Sequence, residues 1–115
     1  MTSPLKLETI LSEFSEDADA WVLQDRVSGK YVIIPDSRFP GRKPIRFFMR
    51  REDAIDLLQE LNDENPNLGD KEIYPFKVKL LESLRRIASD TNPDNADAFV
   101  VHSPNEVYQY LRERQ

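Results

Sequence analysis

The pattern of hydrophobic and polar positions is clearest in the middle of this chain, where it predicts a helix over residues 51–64. At about 100° per residue, the apolar side chains of this stretch fall on one side and the acidic side chains on the other. The apolar face comprises Ala54, Ile55, Leu57, Leu58 and Leu61. We therefore predict that a helix begins near Arg51 or Glu52 and that Leu58 and Leu61 are buried beneath it.

The rest of the chain alternates between segments typical of strands and segments typical of helices. Strands are predicted at residues 20–27, 30–34, 45–49, 71–74 and 98–102. Further helices are predicted at residues 4–15, where Ser3 and Pro4 form the start, and at residues 75–88 and 103–111. The inward face of the helix at 75–88 should comprise Leu80, Leu81, Leu84, Ile87 and Ala88. The first two strands should form a hairpin around Gly29, and Ser103 to Glu106 has the form of a helix capping box. This order indicates one α/β (α+β) domain over residues 1–115, with a small mixed sheet of about five strands and helices packed on it.

Composition limits the class of protein. The chain has 115 residues, of which 39% are hydrophobic and 32% charged, as in a globular protein with a charged exterior. Its longest apolar runs have four residues and its first residues lack a signal-peptide pattern, so we expect a cytoplasmic protein without a membrane span. The absence of cysteine excludes disulfides, thiol chemistry and zinc sites that need thiolates.

No pattern of catalytic or cofactor-binding residues stands out. The three glycines are too widely separated to form a dinucleotide fingerprint or a phosphate-binding loop. The one histidine, His102, is followed by Ser103, but neighbours at a strand end point in different directions and make a poor nucleophile–base pair. We expect His102 to be a strand-end residue with a local hydrogen bond. Residues 90–95 begin like a calcium loop, yet asparagine takes the sixth position, where glycine is needed. We therefore predict no enzyme activity, no cofactor and no metal site.

One stretch departs from the acidic character of the chain. The net charge of −5 argues against general affinity for nucleic acids or membrane surfaces. Residues 38–51 nevertheless contain six basic residues and no acidic one. Within and beside the predicted loop 36–43, we predict that the partner-binding residues are Arg38, Phe39, Arg42, Lys43 and Arg46.

Two interpretations of this loop are open. In the first, it is exposed and poorly anchored, and Phe39 is an aromatic contact for a partner. In the second, Phe39 folds back over the edge of the sheet while the cations pair with Glu52, Asp53 or solvent.

The middle and the end of the chain resemble a known family. The stretch FFMRREDAIDLLQELNDENPNLG, the following KEIYPFKVKLLESL and the ending AFVVHSPNEVYQYL are similar to the repeat unit of the Tic22-like proteins of chloroplasts and cyanobacteria. The resemblance covers about residues 45–111. It implies a non-enzymatic, chaperone-like component of protein translocation from a cyanobacterial or plastid-related source. Proteins of this family carry two such units, whereas this chain has room for one.

These features together predict a non-enzymatic protein-interaction or chaperone-like module that docks an anionic protein partner through its basic loop. The alternative is a nucleic-acid-binding protein in which the arginines of residues 38–51 contact phosphates and the rings of Phe39 and Phe47 stack on bases. An enzyme that works with carboxylates and arginines alone is a third hypothesis. A homo-oligomer formed through an uncovered sheet edge is also open, although the sequence does not locate such an edge.

Overall fold

Five strands and three helices form from the residues that the computed structural model describes, which are 6–34, 36–65, 72–89, 96–104 and 106–112. The strands are β1 (Asp19–Asp25), β2 (Pro44–Phe48), β3 (Ile73–Lys79), β4 (Ala98–His102) and β5 (Val107–Leu111). The helices are α1 (Leu7–Ser12), α2 (Arg51–Glu64) and α3 (Leu80–Ala88).

The strands form one mixed sheet in the order β3-β1-β2-β4-β5. β2 and β4 are parallel neighbours in the middle of it, with Ile45 opposite Phe99 and Phe47 opposite Val101. All other neighbouring strands are antiparallel. The predicted α/β (α+β) class, a single domain with a mixed sheet of about five strands and helices packed on it, is therefore confirmed.

One face of the sheet packs against α1 and α3 and holds most of the core. Side chains along a strand alternate between the two faces, so every second residue of each strand contributes here. The strands supply Ala20, Val22, Ile45, Phe47, Phe99, Val101 and Tyr108. The helix α3 supplies Leu80, Leu81, Leu84 and Ile87, which the sequence had assigned to its inward face.

The opposite face of the sheet is covered in two parts. The helix α2 packs over β1, β2 and β3, with Ala54 fully buried in a cluster that includes Leu23 and Phe48. Over β4, the ring of Phe39 packs against Ala98 and Val100. On this face the sheet is therefore covered partly by α2 and partly by the loop that carries Phe39.

The central helix begins at Arg51, as predicted, but its leucines are less buried than expected. Leu58 and Leu61 are half-buried, whereas Ala54 is fully buried. The two leucines pack against the smaller of the two main apolar clusters, so one side of each remains in solvent. The prediction that both are buried is corrected accordingly.

The chain ends in a strand and not in the predicted helix. Ser103 Oγ accepts the backbone N–H of Glu106 at 3.1 Å, as a capping serine would. The backbone N–H of Ser103, however, donates to the carbonyl of Glu106 at 2.9 Å and closes a hairpin turn. Beyond this turn Tyr108 and Tyr110 both pack into the core, with the spacing of a strand. The segment forms a strand because it pairs with the edge of β4, a contact that its local sequence pattern does not reveal.

Only the first arm of the predicted N-terminal hairpin is a regular strand. The turn forms around Gly29, which has φ of 74°, a conformation that suits glycine. The following segment 30–34 makes one isolated bridge, between Gln24 and Tyr31, and then leaves β1. Its last residue, Ile34, donates from its backbone N–H to the carbonyl of Pro44 at 3.4 Å. The segment thus fills the gap between β1 and β2, which one residue pair joins.

The strand predicted at 71–74 is longer than expected, and the helix after it begins later. Pro75 lies inside β3 and not at the start of α3. The backbone N–H of Leu80 and the carbonyl of Glu72 both form hydrogen bonds with residues that flank β1. The backbone groups of the odd-numbered residues between them therefore point to the outer edge of the sheet. Proline is tolerated there because no hydrogen bond from its nitrogen is required.

The first helix is also shorter than predicted, since α1 ends at Ser12. The predicted serine–proline start of this helix, in residues 1–5, lies outside the described residues. None of the helices in the described part of the chain is long and apolar enough to cross a membrane.

Because the leucines of α3 are more deeply buried than those of α2, their truncation should lower the free energy of unfolding by different amounts. Leu84→Ala removes a fully buried side chain between α3 and the sheet and should lower the free energy of unfolding by about 2–5 kcal/mol. Leu58→Ala removes the same atoms from a half-buried site and should cost about 1–2 kcal/mol. Urea titration of both variants measures this difference, with Asp56→Ala on the exposed side of α2 as the control. A larger loss for Leu58→Ala than for Leu84→Ala would show that the core lies under α2.

Candidate functional site

The segment 36–43, called the basic loop below, is anchored on the sheet. Phe39 is 3% exposed and lies in a cluster with Ala98 and Val100, against which Leu111 also packs. Most residues of the loop are exposed, as expected, but the expectation that it is poorly anchored and presents Phe39 to a partner is wrong, because Phe39 folds back over the sheet as in the second interpretation. The physical reason is that β4 is apolar on both faces and needs an apolar cover here.

Asp36 holds the first half of the basic loop. Its carboxylate accepts the backbone N–H of Arg38 at 2.9 Å and the Nε–H of the same residue at 2.9 Å. Its Oδ2 atom also lies 3.3 Å from Nη2 of Arg46, on β2. The hydrogen bonds from Arg38, and then the positive charges of both arginines, lower the pKa of Asp36 to about 2 despite its burial. Asp36 is therefore ionised at neutral pH and joins the loop to the sheet.

Asp97 holds the second half of the basic loop. Its Oδ1 atom accepts the backbone N–H of Lys43 at 2.8 Å, and its Oδ2 atom lies 3.0 Å from Nε of Arg42. Arg42 also donates to the backbone carbonyl of Arg112. Only 13% of the Arg42 side chain and 12% of the Asp97 side chain are exposed, so solvent screens this ion pair little.

Sequence reasoning missed both acidic partners and expected Glu52 and Asp53 in their place. A signal for Asp36 was present, because an aspartate two residues before an N–H group commonly accepts its hydrogen bond in a turn. No local signal marked Asp97, which is 54 residues from Lys43 in the chain.

Two cations of the basic loop keep exposed side chains. Lys43 is exposed, and 38% of the Arg38 side chain is exposed although it is bound to Asp36. Arg42 and Arg46 are mostly covered and act as anchors. Residues 36–43 have a net charge of +2 in a chain whose total is −5, so the loop remains a positive area on an acidic protein.

His102 lies at the end of β4, as predicted, on the same face of the sheet as Arg46. Its ring is stacked on Phe48, with centroids 4.8 Å apart and an angle of 9° between the planes. Burial, followed by the charges of Arg46 and Arg38, lowers its pKa to about 4. Its Nε2 atom is buried without a hydrogen-bond partner among the described residues, so the local hydrogen bond expected for His102 is not found at this nitrogen.

The fold, but not the sequence, is similar to a known structure. No protein-family model and no curated protein sequence matches this chain. Its structure is similar to that of Anabaena Tic22, described as a protein-transport protein, with a TM-score of 0.52 and 14% sequence identity. The likeness covers 86% of this chain and 46% of the other, so the chain spans about half the length of that protein. At this identity the comparison establishes a shared fold, and the resemblance to the Tic22-like family is confirmed at that level.

A cleft of about 400 Å³ opens where segment 30–34 leaves β1. Val32, Ile34, Leu61 and Ile73 line it together with polar side chains at its rim. No group of three metal-ligating side chains occurs within the described ranges, and the calcium-like residues 90–95 lie outside them.

Removal of one anchor should destabilise the protein. Arg42→Ala removes the ion pair with the mostly buried Asp97 and one donor to the carbonyl of Arg112, so it should lower the free energy of unfolding by about 1–3 kcal/mol. Lys43→Ala is the matched control, because its side chain is exposed and its backbone bond to Asp97 remains. Urea titration should show a change of less than about 0.5 kcal/mol for this control. Equal stabilities of the two variants would contradict the anchoring role of Arg42.

His102 should titrate at unusually low pH. Because its pKa is about 4 in the folded protein and 6.5 ordinarily, the unfolded chain binds the proton more readily. The stability that the neutral ring contributes is thus present above about pH 6.5 and is lost as pH falls towards 4. The chain has one histidine, so its imidazole proton resonance reports this directly by NMR. A midpoint near 6.5 in the folded protein, equal to that in urea, would contradict the burial of His102.

Proposed function

We propose that this chain is a non-enzymatic protein-binding module that docks an acidic protein partner on its basic loop. The observation that carries the proposal is that Arg38 and Lys43 are exposed on a loop that Asp36 and Asp97 hold in place. The other two cations, Arg42 and Arg46, serve the anchoring and face the partner less. Phe39 supports the loop from below and makes no contact with the partner.

A fixed loop is better suited to binding than the mobile loop that the sequence suggested. The backbone of the loop and the side chain of Arg38 are already held in position, so less of the interaction energy is spent on ordering when they meet an anionic surface. The positive loop also stands out against a chain of net charge −5, which directs acidic partners to this area and away from the rest of the surface.

The shared fold supports a protein-binding role without identifying the partner. Anabaena Tic22 is described as a protein of protein transport, and its fold over this region is similar. Binding of other proteins is compatible with that description. The cytoplasmic location expected from the sequence stays a prediction.

The nucleic-acid alternative has less support. Single-stranded nucleic acids bind where cations lie beside exposed aromatic faces on which bases can stack. The two aromatic residues invoked for this role, Phe39 and Phe47, are 3% and 0% exposed. Neither ring can stack on a base in this conformation.

The proposal predicts that two exposed cations control partner capture. The Arg38→Ala, Lys43→Ala double variant should retain less than about one tenth of the partner captured from a lysate of the source organism by the wild-type chain. Capture by the wild-type chain should also fall steeply with added salt, because exposed charges are screened over about 10 Å at 0.1 M. Quantitative mass spectrometry of the captured proteins measures both effects.

A second double variant controls for the loss of charge alone. Lys30→Ala, Arg86→Ala also removes two exposed cations, but outside the basic loop, and it should capture the partner at the wild-type level. Unchanged capture by the Arg38, Lys43 variant would overturn the proposal. Loss of the captured proteins after nuclease treatment would overturn it in favour of the nucleic-acid alternative.

A further inference from the structure

The two outer strands of the sheet differ in how their free edges are protected. In β3 the outward backbone groups belong to the odd-numbered residues, which include Pro75, Lys77 and Lys79. Proline offers no N–H to an added strand, and edge lysines disfavour one. Both lysines also pair with Asp19, at 3.4 and 3.1 Å. This edge is therefore poorly suited to pairing with another chain.

The edge of β5 has none of these features. The backbone N–H of Ser103 bonds to the carbonyl of Glu106, and the N–H of Arg112 bonds to the carbonyl of Asp97, so the even-numbered residues of β5 face β4. The outward backbone groups then belong to Val107, Gln109 and Leu111, and no strand of the described residues pairs with them. The strand contains no proline and no charged residue, and Val107 is 43% exposed. This edge is open to strand addition.

The sequence of β5 identifies what fits this edge. Read backwards, Val-Tyr-Gln-Tyr-Leu becomes Leu-Tyr-Gln-Tyr-Val, which is almost the same order of side chains. In a two-fold symmetric interface residue i of one copy contacts residue j of the other and j contacts i, so this order sets apolar residues opposite apolar residues around a central glutamine. We propose that two copies of this chain dimerise by antiparallel pairing of β5 with β5, with the two-fold axis at Gln109.

This register matches both the backbone and the side chains. The outward residues form three facing pairs, two of Val107 with Leu111 and one of Gln109 with itself, and each pair can exchange two backbone hydrogen bonds. Val107 gains an apolar neighbour and loses its exposure, and the two Gln109 amides lie within reach of each other. Just beyond the strand, the same register sets Glu106 opposite Arg112 of the other copy, so opposite charges meet at both ends.

The strand is already held in the conformation that pairing needs. On the face of α1, the ring of Tyr108 packs edge-on against Phe14 with centroids 5.2 Å apart. The ring of Tyr110 is stacked on Phe99 at 4.9 Å. On the other face Leu111 packs against the cluster of Phe39, Ala98 and Val100. Little order must be created on association, which favours binding by the few contacts that a five-residue strand offers.

The dimer can be tested by sedimentation equilibrium of the full chain from about 10 μM to about 1 mM. The wild-type chain should approach twice its monomer mass of 13.4 kDa as the concentration rises. Gln109→Lys should raise the dissociation constant about tenfold or more, because it sets two like charges face to face at the axis. Gln109→Glu should do the same. An equimolar mixture of the two variants should form dimers again, since each lysine then meets a glutamate.

Val27→Lys is the matched control for a charge at an exposed apolar site, because Val27 is 80% exposed and far from β5 in the sequence. It should dimerise like the wild-type chain, whereas Val107→Lys should not. Circular dichroism confirms that each variant is folded, and recovery in the mixed sample shows that loss of dimers is not loss of fold. A wild-type chain that is monomeric at about 1 mM overturns the proposal. So does a Gln109→Lys variant that dimerises as tightly as the wild-type chain, which would locate any dimer elsewhere.

Discussion

The parallel pairing of β2 with β4 is the constraint on which the rest of the structure depends. Both strands carry buried residues on both faces, with Ile45 and Phe47 on one face of β2 and Pro44 and Phe48 on the other. A strand pair of this kind must be covered on both sides, because each apolar face left in water costs free energy in proportion to its area. The helices α1 and α3 cover one face, and α2 together with the basic loop covers the other.

This constraint explains why a loop full of cations is fixed and not mobile. Phe39 must reach β4, and the chain that carries it there brings Arg38, Arg42 and Lys43 close to the sheet. Asp36 and Asp97 neutralise part of that charge and hold the loop on the sheet. The basic loop thus contributes to stability and also presents exposed cations. Paired variants distinguish its anchoring residues from its candidate contact residues.

The proposed dimer and the basic loop are connected through the geometry of the sheet. Antiparallel pairing of β5 with its copy keeps the same face of both sheets on one side. The two basic loops would then lie on one face of a continuous sheet, and in each copy the cluster that contains Phe39 would pack against Leu111, close to the dimer axis. Two linked loops would bind an extended acidic partner more tightly than one, because the second contact forms at a high effective concentration.

The sequence by itself determined the elements whose burial pattern is local. The helix α2, the inward face of α3 and the strands β1, β2 and β4 could be predicted because a period of 3.6 or 2 residues records which side faces the core. The class of the sheet followed from their order. Tertiary structure decided the rest. Segment 103–111 satisfies both a capping box and a strand, and only the open edge of β4 selects the strand. The burial of Phe39 and the pairing of Arg42 with Asp97 depend on contacts between segments far apart in the chain. Such contacts produce no periodic pattern of hydrophobic residues in either segment.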